Sequence, residues 1–169
     1  MRYRRSITYL VGLGLVLATL GLAACGGDSA QATPKTADGK PATVGVENTD
    51  LGQILVDSRG HTLYEFLKDS GTTSACSGSC AQAWPPLRVK GKPTVGSGAQ
   101  ASLVGTMTRS DGSRQVTYNG HPLYLYSGDQ NAGDTSGQGS TAFGAGWYAL
   151  SASGDQVTGQ GSGGGGYGY

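Results

Sequence analysis

The 169-residue sequence has few histidines and lacks several of the motifs that identify enzymes. It contains only two histidines, and it lacks the G-x-S-x-G, H-E-x-x-H, phosphate-loop and dinucleotide-binding glycine motifs. Charged residues make up 14% of the chain and form no clustered basic face of the kind that binds nucleic acid. The sequence therefore predicts a protein that is not an enzyme and has no nucleic-acid partner.

The long apolar run of the chain lies near its beginning and has the features of an export signal. Three basic residues, Arg2, Arg4 and Arg5, precede an apolar stretch over 7–22, and the letters LAA lead into Cys25. This order of basic, apolar and small residues is typical of a secretory signal. The cysteine at the cut point resembles a bacterial lipobox, which implies cleavage just before it and a diacylglycerol on its thiol. An uncleaved membrane-spanning helix is the alternative, because the run approaches the ~20 residues that a span needs.

Lipid attachment predicts where the mature protein resides. Each buried methylene contributes about 0.8 kcal/mol, so two or more acyl chains anchor a protein stably. With residues 1–24 removed as a signal peptide, Cys25 would hold the protein on the extracytoplasmic face of a bacterial cell membrane. Residues 25–43 contain no large apolar side chain and are predicted to form a flexible tether. Residues 159–169, GQGSGGGGYGY, are predicted to form a disordered glycine-rich tail.

Residues 44–158, between these segments, show strand signals and almost no helical periodicity. The predicted strands are 53–57, 62–66, 103–108, 114–118, 122–126 and 147–150. Asn119-Gly120 predicts a hairpin with a type I′ turn, because that turn needs positive φ at both central residues. Residues 79–84 could form a single helical turn, which Pro85-Pro86 would end. The fold class is therefore predicted to be all-β, with at most one short helical turn.

An internal repeat organises this region. GHTLYEFLKD at 60–69 matches GHPLYLYSGD at 120–129 at a constant offset of sixty, and the two tryptophans of the chain match after a three-residue slip. Such self-similarity is typical of a duplicated structural unit. We expect two pseudo-symmetric repeats, about 50–103 and about 104–158, that form one small domain.

The motifs of the two repeats resemble those of a known family. They are Tyr64-x4-Asp69, Tyr124-x4-Asp129 and the segments CSGSCAQAWPPL, VTYNGHPLYLYSGD and GWY. Together they resemble the bacterial lipoprotein family of secreted repeats with a Y-x4-D motif, over most of residues 50–151. That family has no established biochemical function, so the resemblance implies a class and a location rather than an activity.

The aromatic residues of the motif are expected to share one face of each strand. Residues two apart on a strand point the same way, so Tyr64 should project with Phe66, and Tyr124 with Tyr126. Aromatic cross-strand pairs stabilise a sheet by up to about 1 kcal/mol each, which favours burial of this face. The alternative is an exposed aromatic platform for a ligand such as a glycan or a quinone.

The motif aspartates, Asp69 and Asp129, each stand at the beginning of a polar loop. An aspartate at such a position commonly accepts hydrogen bonds from backbone amides about two residues further on. A catalytic carboxylate pair is the alternative. Equivalent positions in duplicated halves would not naturally converge on one substrate atom, which favours the structural interpretation.

Two cysteines remain if Cys25 is lipidated. Outside the cytosol, Cys76 and Cys80 are expected to form a disulfide. Thiols four residues apart with a distant histidine are also a soft ligand set for copper. Copper or redox handling by this cysteine pair with His61 or His121 is therefore the alternative function. Otherwise the histidines are turn residues that follow glycines at hairpin bends, and no metal or other cofactor is expected.

The leading hypothesis combines the anchor, the tether and the β domain. It is a non-enzymatic lipoprotein that acts as an interaction module of the bacterial envelope, with a cell-wall component or an envelope protein as partner.

The loop 128–139 is rich in Asp, Asn and Gly but lacks the spacing and the final Glu of a calcium loop. We expect Asp134 to cap a turn in this loop.

Overall fold

The computed structural model describes residues 42–159. The predicted signal peptide and the lipid-attachment residue Cys25 lie outside the described residues. So do all but the last two residues of the predicted tether and all but the first residue of the predicted tail. Within the described part of the chain, no helix is long and apolar enough to cross a membrane.

Short strands account for most of the regular structure in residues 42–159. The elements are β1 (Thr43–Thr49), β2 (Gly52–Val56), β3 (Tyr64–Phe66), α1 (Ser79–Ala83), β4 (Thr94–Val95), β5 (Val104–Thr108), β6 (Arg114–Tyr118), β7 (His121–Pro122) and β8 (Trp147–Ala149). They form three small sheets, with strand orders β2-β1-β4, β3-β8 and β5-β6-β7. Besides α1, two 3-10 turns are present, at Ala101–Leu103 and Ala142–Gly144. The predicted all-β class is confirmed, since no helix among residues 42–159 is longer than five residues.

Two antiparallel hairpins, β1–β2 and β5–β6, have continuous registers of five residue pairs each. Val46 pairs with Leu55 in the first hairpin, and Thr106 pairs with Val116 in the second. The turn between β6 and β7 has φ of 48° at Asn119 and 82° at Gly120. Positive φ at both positions is what a type I′ turn requires, so the predicted hairpin is confirmed.

The two repeats meet at their motif tyrosines. The backbone amide of Tyr64 donates to the carbonyl of Tyr124 at 2.8 Å, and the amide of Tyr124 donates to the carbonyl of Tyr64 at 2.9 Å. These two backbone hydrogen bonds join equivalent residues, as at a two-fold axis.

The segment that follows each motif pairs with the motif strand of the other repeat. Ala149 of the second repeat is the register partner of Tyr64, and Pro86 of the first repeat is the register partner of Tyr124. Ala149 and Pro86 are themselves equivalent, at the offset that relates Trp147 to Trp84. The repeats are therefore interlocked through the motif strands, although the sheets β2-β1-β4 and β5-β6-β7 each lie within one half of the domain.

Two hydrophobic clusters lie on opposite faces of the motif strands. The first, which we call the aromatic cluster because it contains both tryptophans, consists of Ile54, Val56, Tyr64, Phe66, Cys76, Cys80, Trp84, Tyr124, Trp147 and Ala149. The second is aliphatic apart from one tyrosine and consists of Val44, Leu55, Leu63, Leu87, Val89, Val116, Tyr118, Leu123 and Leu150. Tyr126 is half-buried against the first cluster. The motif face is therefore buried, as the strand pattern favours.

Some strands differ from those that the sequence predicts. The longest strand, β1, was not predicted, because Gly45 and Asn48 interrupt its run of apolar residues. It forms because Val44 is fully buried with Leu55 in the second cluster. The predicted strand over 122–126 is regular only at its beginning, because the amides beyond Pro122 donate to several different segments. The amide of Leu123 donates to Val116, that of Tyr124 to Tyr64, and that of Leu125 to Pro85.

Candidate functional site

The two motif tyrosines donate hydrogen bonds to the two motif aspartates, and they do so across the repeats. The Tyr64 hydroxyl donates to Oδ2 of Asp129 at 2.6 Å. The Tyr124 hydroxyl donates to Oδ2 of Asp69 at 2.7 Å. Each Y-x4-D motif is thus completed by the other copy, and we call these contacts the reciprocal pairs.

The second oxygen of each aspartate holds the following loop. Oδ1 of Asp69 accepts from the amide of Ala75 at 2.7 Å, and Oδ1 of Asp129 accepts from the amide of Ser136 at 2.9 Å. The aspartates therefore accept from loop amides, as predicted, but the amides lie six and seven residues further on rather than about two. The tyrosine contacts were not predicted, and in them each carboxylate accepts from a phenol of the other repeat.

Burial changes the proton affinity of all four groups in the reciprocal pairs. Desolvation raises the pKa of Tyr64 and of Tyr124, and the hydrogen bond to the partner carboxylate raises it further. Desolvation also raises the pKa of Asp69 and of Asp129, although the tyrosine hydrogen bonds oppose that shift. Both phenols therefore keep their protons well above neutral pH.

A buried arginine distinguishes the Asp69 pair from the Asp129 pair. Arg109 is 8% exposed, and its guanidinium donates to Ser74 Oγ at 3.0 Å and to the carbonyl of Cys76. Ser74 Oγ also lies 2.7 Å from the Tyr124 hydroxyl. The charge of Arg109 lowers the pKa of Asp69 and so opposes the effect of burial.

The Asp129 pair has a different environment. The nearby carboxylate of Asp134 raises the pKa of Asp129 further. The amide of Gly137 donates to the Tyr64 hydroxyl at 3.3 Å. A Cβ at Gly137 would come within 2.8 Å of Trp84, so a side chain is excluded there. Asp134 itself accepts from the amides of Gln130 and Asn131, as the expected turn cap does.

The predicted disulfide is confirmed, and it lies beside this site. Cys76 and Cys80 are bonded, with their Cα atoms 5.3 Å apart, and both belong to the aromatic cluster. The bond fixes the loop whose carbonyl at Cys76 accepts from Arg109.

Both histidines lie beside carboxylates. Nδ1 of His121 is 2.9 Å from Oε2 of Glu65, and Nδ1 of His61 is 3.9 Å from Oδ2 of Asp57. Burial raises the pKa of Glu65, and the charge of His121 opposes that shift. Among residues 42–159, no three His, Cys, Asp or Glu side chains are grouped so as to hold a metal ion.

Six aromatic rings, two of which are those of the motif tyrosines, form what we call the six-ring cluster. Four of them form a continuous stack in the order Phe66, Trp147, Trp84 and Tyr126, with successive ring centroids 4.0, 3.9 and 4.4 Å apart. The motif tyrosines contact this stack edge-on, Tyr64 against Trp84 at 5.4 Å and Tyr124 against Trp147 at 5.2 Å. The pseudo-two-fold axis thus passes between the two equivalent tryptophans.

Comparison with known proteins gives one match. A family model described as a secreted repeat of unknown function matches residues 45–88 and 105–151. Each matched segment contains one Y-x4-D motif and one tryptophan, and together the two segments cover more than half of the chain. Comparison with curated proteins and with solved structures gave no match.

Proposed function

We propose that this chain, which belongs to the family of secreted repeats of unknown function, is a non-enzymatic interaction module of the bacterial envelope. Family membership gives an extracytoplasmic location. Membrane anchoring through a lipid on Cys25 is part of the proposal, and so is a cell-wall component or an envelope protein as partner.

The main support for this proposal is that the tyrosines and aspartates of the motif are hydrogen-bonded to each other in the interior of the domain. Tyr64 and Tyr124 are fully buried, and each donates to an aspartate of the other repeat. A substrate would have to replace one of these contacts and leave a buried polar group unpaired, which costs about 1–3 kcal/mol. The motif is therefore better suited to joining the two repeats than to binding and converting a substrate.

An exposed apolar pair is the surface that we propose for contact. Leu67 is 50% exposed and Phe143 is 41% exposed, and Lys68 Nζ donates to the Phe143 carbonyl at 3.4 Å. Phe143 has φ of 64°, which is unusual for a bulky residue and is commonly retained where it serves a function. We call Leu67 and Phe143 the apolar contact surface.

Site-specific photocross-linking in intact cells tests the contact surface. A benzophenone amino acid at position 143 is compared with the same residue at Asp111, which is exposed at the tip of the β5–β6 hairpin. We expect a discrete adduct from position 143 and none from position 111. Absence of adducts from both positions, or the same adducts from both, would contradict the proposed surface.

Detergent partitioning tests the anchor separately. The wild-type protein is expected to enter the detergent phase and to carry acyl chains detectable by mass spectrometry, whereas Cys25→Ser is expected to carry none because it has no thiol to lipidate. A Cys80→Ser variant, which also removes one cysteine, is the matched control and should partition like the wild type. Aqueous partitioning of the wild type would reject the anchor.

Copper or redox handling by Cys76 and Cys80 with His61 or His121 is the alternative function, and it needs free thiols. Alkylation and mass spectrometry of protein taken from cells report the state of this pair. A permanently bonded pair favours the interaction module, whereas an alkylatable or copper-loaded pair favours the alternative.

A further inference from the structure

We propose that the six-ring cluster accepts one oxidising equivalent at half-buried Tyr126 and passes it through Trp84 to Tyr64, which holds it as a neutral phenoxyl radical. This activity goes beyond the proposed interaction function and does not depend on it. The oxidant is a small free radical that accepts a single electron at the protein surface.

The geometry provides a continuous path. The rings of Tyr126 and Trp84 have centroids 4.4 Å apart, and the edge-on rings of Trp84 and Tyr64 have centroids 5.4 Å apart. Indole and phenol are readily oxidised side chains, and electrons pass quickly between rings in contact. Trp84 and Tyr64 are buried, so a radical formed there is shielded from solvent.

The proton of the phenol also has an acceptor in place. A phenol that loses an electron becomes strongly acidic, so its oxidation requires a base within hydrogen-bond reach. Oδ2 of Asp129 lies 2.6 Å from the Tyr64 hydroxyl. Burial raises the pKa of Asp129 and makes its carboxylate a better proton acceptor.

The charges around the two reciprocal pairs favour Tyr64 over Tyr124 as the end of the path. The positive charge of Arg109 acts on Asp69 and opposes proton uptake there. The negative charge of Asp134 acts on Asp129 and favours proton uptake. The pseudo-symmetric cluster therefore has one preferred radical site.

The step balances in electrons and atoms. The attacking radical X• gains one electron and becomes X⁻. Tyr64 supplies that electron through Trp84 and Tyr126, its O–H bond breaks, and its proton forms a new O–H bond on Asp129. The products are X⁻, a neutral Tyr64 phenoxyl radical and a neutral Asp129 carboxylic acid.

Pulse radiolysis of the full chain in detergent, with the azidyl radical as oxidant, tests the path. We expect rapid transfer from Tyr126 to Trp84 to give an indolyl signal, which converts to a phenoxyl signal with a first-order rate independent of protein concentration. Tyr64→Phe should reduce the yield of this delayed phase at least tenfold, while the matched variant Tyr124→Phe should retain it. Asp129→Asn should slow the phase at least tenfold, because an amide does not accept the proton.

Three outcomes would overturn the proposal: no delayed phase in the wild type, an unchanged phase in Tyr64→Phe, or an equal loss in Tyr124→Phe. Isosteric labelling covers the case in which Tyr64→Phe does not fold. With 3-fluorotyrosine at position 64, the electron paramagnetic resonance spectrum of the trapped radical should gain a fluorine splitting. With 3-fluorotyrosine at position 124 it should not, and the reverse result, or a splitting from neither position, rejects the assignment.

Discussion

Replacing Tyr64 with phenylalanine removes one hydroxyl and leaves the ring in place. The lost contact is a 2.6 Å hydrogen bond from a fully buried phenol to a carboxylate of the other repeat. Hydrogen bonds to charged groups contribute about 1.5–3 kcal/mol, and Asp129 would keep only its loop contacts. We therefore expect the free energy of unfolding to fall by about 2–3 kcal/mol.

Urea denaturation of the oxidised protein measures this change, and thermal unfolding provides a second reading. At roughly 4 °C per kcal/mol for a domain of this size, the midpoint should fall by about 10 °C. The matched control is Tyr148→Phe, which removes a hydroxyl from a half-buried tyrosine of β8 outside the reciprocal pairs. Its effect should be within about 0.5 kcal/mol of zero.

A double-mutant cycle isolates the contact between the two residues. Asp129→Ala is combined with Tyr64→Phe, and the sum of the single effects should exceed the double effect by at least about 1 kcal/mol. Additivity within about 0.5 kcal/mol would refute the reasoning. So would a loss in Tyr64→Phe no larger than that in Tyr148→Phe.

Three further perturbations follow from the structure. The pKa values of the two motif tyrosines are raised in the folded protein, so the unfolded chain, with a tyrosine pKa near 10, loses these protons first as pH rises. The free energy of unfolding should therefore fall above about pH 10. Urea titrations that show a constant free energy of unfolding up to pH 11 would contradict this. Gly120→Ala places a Cβ at φ of 82° and should cost about 1 kcal/mol, whereas Gly91→Ala, which also meets no neighbouring atom but has no positive φ, should cost much less in the same urea assay. Replacing both Cys76 and Cys80 with alanine opens a short loop and should lower the free energy of unfolding by about 2 kcal/mol, and calorimetry showing no loss would reject a stabilising role.

The repeat offset shows which residues are equivalent but not which of them touch. Tyr64 has an aspartate five residues away, at Asp69, and an equivalent one at Asp129. The sequence is the same whether a motif closes on itself or on the other copy. Only the interlocked sheet, in which Tyr64 and Tyr124 pair through their backbones, brings the two repeats together so that the cross-repeat contact forms.

Arg109 and β1 were missed for different reasons. Arg109 has no counterpart in the first repeat, where the residue sixty positions earlier is Thr49, so the internal repeat does not indicate it. A basic residue directly after a predicted strand was the available signal. In β1, a glycine and an asparagine lower the local strand propensity, and burial of Val44 overrides it. The positive-φ turn at Asn119-Gly120 was predictable because its requirement is purely local.

The interlocking of the repeats bears on how the domain arose. Because Ala149 completes the strand of Tyr64 while Pro86 completes the strand of Tyr124, a single repeat made alone would lack its partner segment. Two identical copies could supply that segment to each other with the same contacts, as a two-fold symmetric homodimer. The present chain has the arrangement that covalent fusion of such a dimer would produce. The disulfide and Arg109 have no counterpart in the other half, so the two halves are not identical.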